Sequence, residues 1–224
     1  MARQLRGAAG MVKVGSQLST AEGPRAVREL AGLGFGIFLD LKFHDIPNTV
    51  AGAVAAAADL PRVRLLTLHT LGGASMMRAA QEAVARRKKR PALLGVTILT
   101  SMDEATLGSV GISGSPAERA VALARLARES GLDGVVASGQ EARAIREACG
   151  PKFLIVVPGV RPAGGTANDQ SRVTTPAQAI AAGADYLVVG RPITEAENPR
   201  AAALAIARDI GKFHRSPAAR SPAT

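Results

Sequence analysis

Short aliphatic runs alternate with alanine-rich stretches along almost the whole chain. The runs are rich in Val, Leu and Ile and have the length of buried strands, whereas the stretches between them favour helix. This alternation is typical of βα units, whose strands form a parallel sheet. We predict seven strands, at residues 11–15, 36–43, 64–70, 92–100, 133–138, 153–160 and 185–190.

The strand count predicts an incomplete barrel. A (β/α)8 TIM-type barrel needs eight strands, each followed by a helix, and the residues before the first predicted strand, ARQLRGAAG, have the composition of a helix end. We therefore predict such a barrel with its first β-strand missing from this chain. It would form one domain over residues 1–213, followed by a polar, disordered tail at 214–224. Helices are predicted at 23–33, 115–130, 140–149 and 198–212.

Composition narrows the possible functions. The single cysteine, Cys149, excludes an internal disulfide, and no apolar run has the length of a membrane span, so we predict a cytoplasmic protein without a membrane partner.

The net charge of +10 favours an anionic partner, either a phosphorylated small molecule or a nucleic acid. Aromatic residues make up only 3% of the chain, too few to stack the bases of a single strand. The basic run ARRKKR at 85–90 is interpreted as the solvated end of a helix.

The segment FLDLKFHDIPNTV, residues 38–50, carries charges where a buried strand should be apolar. Because side chains alternate along a strand, Asp40 and Lys42 share the face opposite the leucines and would point into the barrel. Asp45 would lie just beyond the strand, at the end where barrels hold their active sites. Lys13, between two valines in MVKVG, would also point inward. Burying several charges is costly, so these residues indicate function rather than stability.

Two predicted loops have the features of a phosphate site. The loops after the last two strands of a barrel often bind phosphate, and here they are RPAGGTANDQSR (161–172) and GRPIT (190–194). The first is glycine-rich and long enough to act as a lid. Arg191 offers a planar cationic fork, Gly190 allows close backbone approach, and Gln170 offers an amide.

Five separated motifs match the pattern of one enzyme family, in the same order. They are the lysine of MVKVG, DLKFHDIPNTV, VTILTS, PGVRP with DQSR, and VVGRPIT, and the resemblance runs from about residue 5 to residue 212. The sequence is similar to the orotidine 5′-phosphate decarboxylase family. The resemblance implies a homodimeric barrel that converts orotidine 5′-phosphate to UMP in pyrimidine biosynthesis and uses neither a metal nor an organic cofactor.

The same resemblance implies a role for each matching residue. Lys42 would donate the proton to pyrimidine C6, Asp40 would lie against the substrate carboxylate, and Lys13 would hold Asp40 ionised and oriented. Asp45 would reach into the site of the partner subunit. Further substrate contacts implied by the family pattern are Ile46, Thr49, Thr100, Ser101, Arg161, Gln170, Gly190 and Arg191.

One feature of the family is absent from the sequence as given. In the family the first strand ends in an Asp that binds the ribose hydroxyls, but none of the twelve residues before Lys13 is acidic. We therefore expect this chain to be less stable and much less active than one extended at its N-terminus. A truncated, low-activity form of the decarboxylase stays an alternative.

Two other classes of function are also considered. A magnesium-dependent phosphosugar lyase or aldolase barrel shares the pattern D-x-K-x-x-D, but these enzymes resemble the chain less because they carry an acidic metal ligand where this sequence has Lys13. A nucleic-acid binder would suit the net charge but would explain neither the inward charges nor the lid, so no nucleic-acid partner is predicted. His44 and His69 lack Cys or carboxylate partners at ligand spacing and are interpreted as structural, and no metal site is predicted.

Overall fold

The computed structural model describes residues 1–161 and 174–214, which are built around one sheet of seven parallel strands. The strands are neighbours in chain order, β1 to β7, and all seven predicted strands are confirmed. Their bounds are β1 Met11–Gly15, β2 Gly36–Phe43, β3 Val63–His69, β4 Ala92–Val96, β5 Gly134–Val136, β6 Leu154–Val157 and β7 Tyr186–Leu187. The predicted lid after Arg161, including Gln170, and residues 215–224 of the predicted tail lie outside the described residues.

Four strands end earlier than the sequence pattern predicts. The prediction of a strand over 92–100 was wrong beyond Val96, and those over 133–138, 153–160 and 185–190 were also too long. Single backbone hydrogen bonds continue past the strand ends, such as Thr97 N to Val136 O at 3.2 Å. Beyond these bonds the chain leaves the sheet, so apolar residues continue where no neighbouring strand pairs with them.

The helices connect the strands and cover the outside of the sheet. The four predicted helices are confirmed, with bounds that differ by at most two residues from the prediction. The ten helices of the described residues are α1 Ser16–Glu22, α2 Pro24–Gly32, α3 Pro47–Ala58, α4 Gly73–Ala85, α5 Glu104–Ser109, α6 Pro116–Glu129, α7 Ala142–Cys149, α8 Pro176–Ala181, α9 Arg191–Thr194 and α10 Pro199–His214. Short 3-10 helices occupy Ala2–Leu5 and Thr70–Gly72. Within the described ranges, no helix combines the length and the hydropathy that a membrane span requires.

Helix α6 shows why helices begin where they do. Pro116 occupies its first turn, and the Ser115 hydroxyl accepts a hydrogen bond from the Glu118 N–H at 3.3 Å. The Glu118 carboxylate in return accepts a hydrogen bond from the Ser115 N–H at 3.0 Å, which completes a capping box.

Helix α4 already ends at Ala85, so the interpretation of 85–90 as the end of a helix was wrong: most of that basic run follows the helix.

Apolar side chains pack on both faces of the sheet. Leu39 and its equivalents on the other strands face the helices and form the larger cluster. The opposite face carries a second buried cluster, which consists of Phe38, Leu65, Leu94, Val96, Val136 and Val156. The alternation predicted for β2 is thus confirmed by its packing, since Phe38 and Leu39 lie in different clusters.

Two aspartates tie neighbouring strands together at their N-terminal ends. Asp133, before β5, accepts hydrogen bonds from the Leu93 N–H at 2.8 Å and from both terminal nitrogens of Arg90, at 2.6 and 2.7 Å. Asp185, before β7, repeats the arrangement with the Ile155 N–H at 2.8 Å and Arg146 at 2.7 Å. Each carboxylate therefore fixes the register of an adjacent strand while an arginine balances its charge.

Gly134 in β5 lies where two strands approach too closely for a side chain. It pairs in register with Leu94 on one side and Leu154 on the other, and an added Cβ would overlap the Leu154 carbonyl oxygen.

Since that contact is with backbone, Gly134→Ala should lower the free energy of unfolding by about 1–3 kcal/mol, measured by urea denaturation. Gly52→Ala is the control: Gly52 is exposed in α3 with open space around it, so the variant should gain up to about 1 kcal/mol. Equal urea midpoints for Gly134→Ala and the parent would contradict the predicted overlap.

Candidate active site

A cavity of about 440 Å³ opens at the C-terminal ends of the strands. It is lined both by Lys13 of β1 and by Val188 and Gly190, which follow β7, so the sheet curls until its first and last strands border the same space. Four of its lining side chains are cationic and one is a carboxylate: Lys13, Lys42, Arg161, Arg191 and Asp40. This excess of positive charge within the described residues favours an anionic ligand.

Asp40 lies between the two lysines. Its Oδ1 is 2.9 Å from Lys42 Nζ and its Oδ2 is 3.2 Å from Lys13 Nζ. The carboxylate side chain is 10% exposed, whereas the lysine side chains are 34% and 38% exposed. The buried Asp40 carboxylate thus orients the two lysine ammonium groups that reach the cavity, so that one negative charge is paired with two positive charges.

The lysines keep Asp40 ionised. Burial by itself would raise the pKa of the Asp40 carboxyl, but the hydrogen bond and charge of Lys42 and then those of Lys13 oppose it. The balance leaves the pKa of Asp40 below its ordinary value. The group is therefore a carboxylate, rather than a neutral acid, wherever the protein is stable near neutral pH.

A bulge in β2 brings Lys42 to this position. Leu39 pairs with Leu66 and Phe43 with Leu68, so three residues of β2 lie opposite the single residue Thr67 of β3. Lys42 has φ of +53°, in the left-handed region that costs a residue with a side chain about 1 kcal/mol or more. Alternation placed Lys42 on the inner face, but the bulge and its conformation are not visible in the pattern.

Thr67 is a site residue that sequence reasoning missed. It is fully buried, its hydroxyl donates to Asp40 Oδ1 at 3.1 Å, and its oxygen accepts from the Lys42 N–H at 2.9 Å. A signal was available, because Thr67 shares a strand face with Leu65 of the inner cluster and is polar. A β-branched residue in an apolar run nevertheless indicates only a strand.

The predicted phosphate ligands that the structure describes also line the cavity. Arg161 is 7% exposed and lines the cavity with Gly190 and Arg191, whereas Gln170 lies outside the described residues. The Arg161 N–H, four residues past the end of β6, donates to Thr174 O at 3.1 Å. Thr194, the last residue of GRPIT, also lines the cavity and was not singled out from the sequence. Guanidinium groups in this position suit the planar donor geometry that phosphate requires.

The other predicted substrate contacts divide into two groups. Thr100 lines the cavity, four residues past the end of β4, but Ser101 is exposed and is not part of the lining. Asp45, Ile46 and Thr49 are exposed and do not line the cavity of their own chain. Asp45 Oδ1 accepts a hydrogen bond from the Ile46 N–H at 2.6 Å, and Ile46 is 66% exposed.

His44 and His69 form a ring pair beside the charged cluster. Their ring centroids are 5.4 Å apart and the rings are tilted by 33°. Burial, and then the charges of His44 and Lys42, lower the pKa of His69. Across residues 1–161 and 174–214, no three His, Cys, Asp or Glu side chains form a group that could hold a metal ion.

Comparisons with known proteins agree on one family. The family model described as orotidine 5′-phosphate decarboxylase / HUMPS matches residues 1–206. A curated orotidine 5′-phosphate decarboxylase of Nitrosococcus oceani is 55% identical over 94% of this chain and 90% of its own length. A second one, of Halorhodospira halophila, is 57% identical over 89% of this chain and 84% of its own length. The crystal structure of orotidine 5′-phosphate decarboxylase from Lactobacillus acidophilus has a TM-score of 0.79 at 39% identity, covering 89% of this chain and 86% of that one. This likeness confirms the predicted barrel class, and the chain belongs to the orotidine 5′-phosphate decarboxylase / HUMPS family.

Proposed function

We propose that this protein decarboxylates orotidine 5′-phosphate to UMP, the activity named for its relatives at 51–57% identity. The observation that carries the proposal is the position of Asp40, held between Lys13 and Lys42 at the mouth of a cationic cavity. A cytoplasmic location is part of the proposal and rests on the single cysteine and the absence of a long apolar run in the sequence.

The charged cluster supports a direct loss of CO2. When the bond between C6 and the carboxylate breaks, its electron pair stays on C6, and the Lys42 ammonium stabilises that developing charge before giving it a proton. Asp40 faces the substrate carboxylate, so repulsion between the two is relieved as CO2 leaves. Lys42 is 34% exposed and can regain its proton from water. Preorganised charge of this kind is often the largest catalytic contribution.

A magnesium-dependent reaction fits the charged cluster less well. The first carboxylate of D-x-K-x-x-D, Asp40, has an ammonium group within 3.2 Å of each oxygen. A divalent cation at that carboxylate would have to displace Lys13 or Lys42, or lie beside their positive charges. The phosphosugar lyase or aldolase alternative therefore lacks an observation in its favour.

The remaining lining residues suit the rest of the nucleotide. Arg161, Gly190 and Arg191 all line the cavity, and we assign them to the phosphate together with Gln170 of the predicted lid. Thr100 is assigned to the pyrimidine together with Ser101. Charge-assisted hydrogen bonds to phosphate are among the strongest available for anchoring a substrate.

We further propose a homodimer whose two active sites share residues. Asp45, Ile46 and Thr49 follow the strand that carries Lys42, are exposed and do not line their own cavity, and Ile46 is 66% exposed. A second copy that covers Ile46 would receive Asp45 at its own cavity. The carboxylate would then supply a further negative charge beside Lys42, where each chain alone has two lysines and one aspartate.

Lys42→Ala tests the proposed activity. Without the ammonium group neither charge stabilisation nor protonation of C6 is possible, so turnover of orotidine 5′-phosphate should fall by roughly a thousandfold or more. UMP should still bind, as measured by calorimetry, because the proposed phosphate ligands are unchanged. Lys152→Ala, at an exposed position, is the control and should retain full turnover. Substantial turnover by Lys42→Ala would refute the role of this lysine.

A mixing experiment tests the shared site. Lys42→Ala and Asp45→Asn homodimers should each be inactive, whereas a mixed dimer has one site with both lesions and one with neither. An equal mixture after subunit exchange should recover about a quarter of wild-type activity. Mixing Lys42→Ala with Asp40→Asn is the control and should recover none, because both residues serve the cavity of their own chain. No recovery with Asp45→Asn, despite demonstrated exchange, would place Asp45 in its own chain's site.

The lowered pKa of Asp40 predicts how stability depends on pH. A carboxyl group with a depressed folded-state pKa stabilises the fold fully above its unfolded value of about 3.9, and this contribution is lost as the pH falls through the folded-state pKa. The thermal midpoint of the parent relative to Asp40→Asn should therefore be constant from about pH 5 to about pH 8 and should decline below about pH 4. A difference that does not change with pH, down to the lowest pH at which both proteins stay folded, would contradict the depressed pKa.

A further inference from the structure

The hydroxyl of Thr67 joins the two residues on which the proposed chemistry depends. It donates to Asp40 Oδ1 at 3.1 Å and accepts from the Lys42 N–H at 2.9 Å. Thr67 is fully buried, and no solvent competes for either bond. Because a hydroxyl has only one proton, donation to Asp40 fixes its rotation and directs its lone pairs toward Lys42.

The bulge in β2 makes the contact with Lys42 necessary. Thr67 is the one residue of β3 opposite three residues of β2, from Asp40 to Lys42. At this point the Lys42 N–H finds its partner in a side chain instead of a backbone carbonyl. Lys42 also has φ of +53°, a conformation that persists only where surrounding contacts hold it.

We propose that Thr67 is a positioning residue for decarboxylation, which orients the Asp40 carboxylate and fixes the backbone of Lys42 through one hydroxyl. The inference rests on the proposed function. Asp40 Oδ1 accepts hydrogen bonds from both Lys42 Nζ and Thr67 Oγ1, so the plane of the carboxylate is fixed before the substrate binds. The same hydroxyl holds the backbone N–H of Lys42, and so fixes the point from which the Lys42 side chain extends.

The effect should appear in the chemical step more than in binding. A displacement of about 1 Å in a catalytic group can cost about a hundredfold in rate. Thr67 is not among the residues that line the cavity, whereas the proposed phosphate ligands Arg161, Gly190 and Arg191 are. Its loss should therefore lower kcat while KM and affinity for UMP change little.

The test compares Thr67→Val, which keeps the shape and removes the hydroxyl, with Thr67→Ser, which keeps the hydroxyl. Thr67→Val should lose about 10- to 100-fold in kcat with less than about a threefold change in KM. Thr67→Ser should stay within about threefold of the parent. Thr97→Val is the matched control: Thr97 is also fully buried and its hydroxyl bonds Val136 O at 3.1 Å, away from the charged cluster, so its kcat should not change.

The outcomes separate this inference from the proposed function. If the parent does not decarboxylate orotidine 5′-phosphate, the function fails; if the parent is active and Thr67→Val is equally active, the positioning role alone fails. An equal loss in Thr97→Val, or no recovery in Thr67→Ser, would also overturn it by indicating a general packing effect. Should Thr67→Val not fold, Thr67→Cys replaces it, since the thiol is a weak hydrogen-bonding group and must fall below Thr67→Ser in kcat.

Carbon NMR of the Asp40 carboxyl provides a measurement that does not depend on turnover. Removal of a hydrogen bond to the ionised carboxyl should raise the pKa of Asp40 in Thr67→Val relative to Thr67→Ser. An identical titration of Asp40 in the two variants would overturn the contact between Thr67 and the carboxylate.

Discussion

The ion pairs of Asp40 with Lys13 and Lys42 determine much of what surrounds them. A carboxylate that is only 10% exposed has lost most of its hydration, and that loss is tolerable only if opposite charges and donors replace the water. β1 supplies one ammonium group, β2 supplies the other, and β3 supplies the Thr67 hydroxyl. Three adjacent strands must therefore be in register before the carboxylate is satisfied, so the sheet and the site form together.

The bulge in β2 reconciles a regular sheet with this cluster. In an undistorted strand, the side chains of Asp40 and Lys42 would share one face about 7 Å apart along the strand. The bulge lies at this stretch of β2, where Lys42 Nζ is 2.9 Å from Asp40 Oδ1. The left-handed conformation of Lys42 is the local cost of that geometry, and it lies where strain is most often found, at a candidate functional residue.

The sequence predicts the sheet well because burial and strand periodicity follow the same simple rule. Alternation correctly separated Phe38 from Leu39 and placed Lys13 on the side of the cavity. It could not predict the bulge, since a change of register depends on the neighbouring strand and leaves no trace in the residues of β2 alone. Strand ends such as Val96 were also missed, because apolar residues continue past the point where pairing stops.

Residues that act through a neighbour were the hardest to predict. Lys42 and Arg191 can be recognised as candidates from residue type, whereas the role proposed for Thr67 depends on what lies opposite it in β2. The three exposed residues Asp45, Ile46 and Thr49 present a different difficulty. The family resemblance predicts them as substrate contacts, but they do not line the cavity of their own chain, so the role proposed for them requires a second chain.

The two ends of the sheet use aspartate in opposite ways. At the N-terminal ends, Asp133 and Asp185 each receive a backbone N–H and an arginine, so each charge is balanced one to one. At the C-terminal ends, Asp40 pairs with two lysines, Lys13 and Lys42. The first arrangement is what stability favours, because every group is satisfied within the fold. The second places two positive charges against one negative charge among the described residues, and this excess favours an anion at the C-terminal ends of the strands.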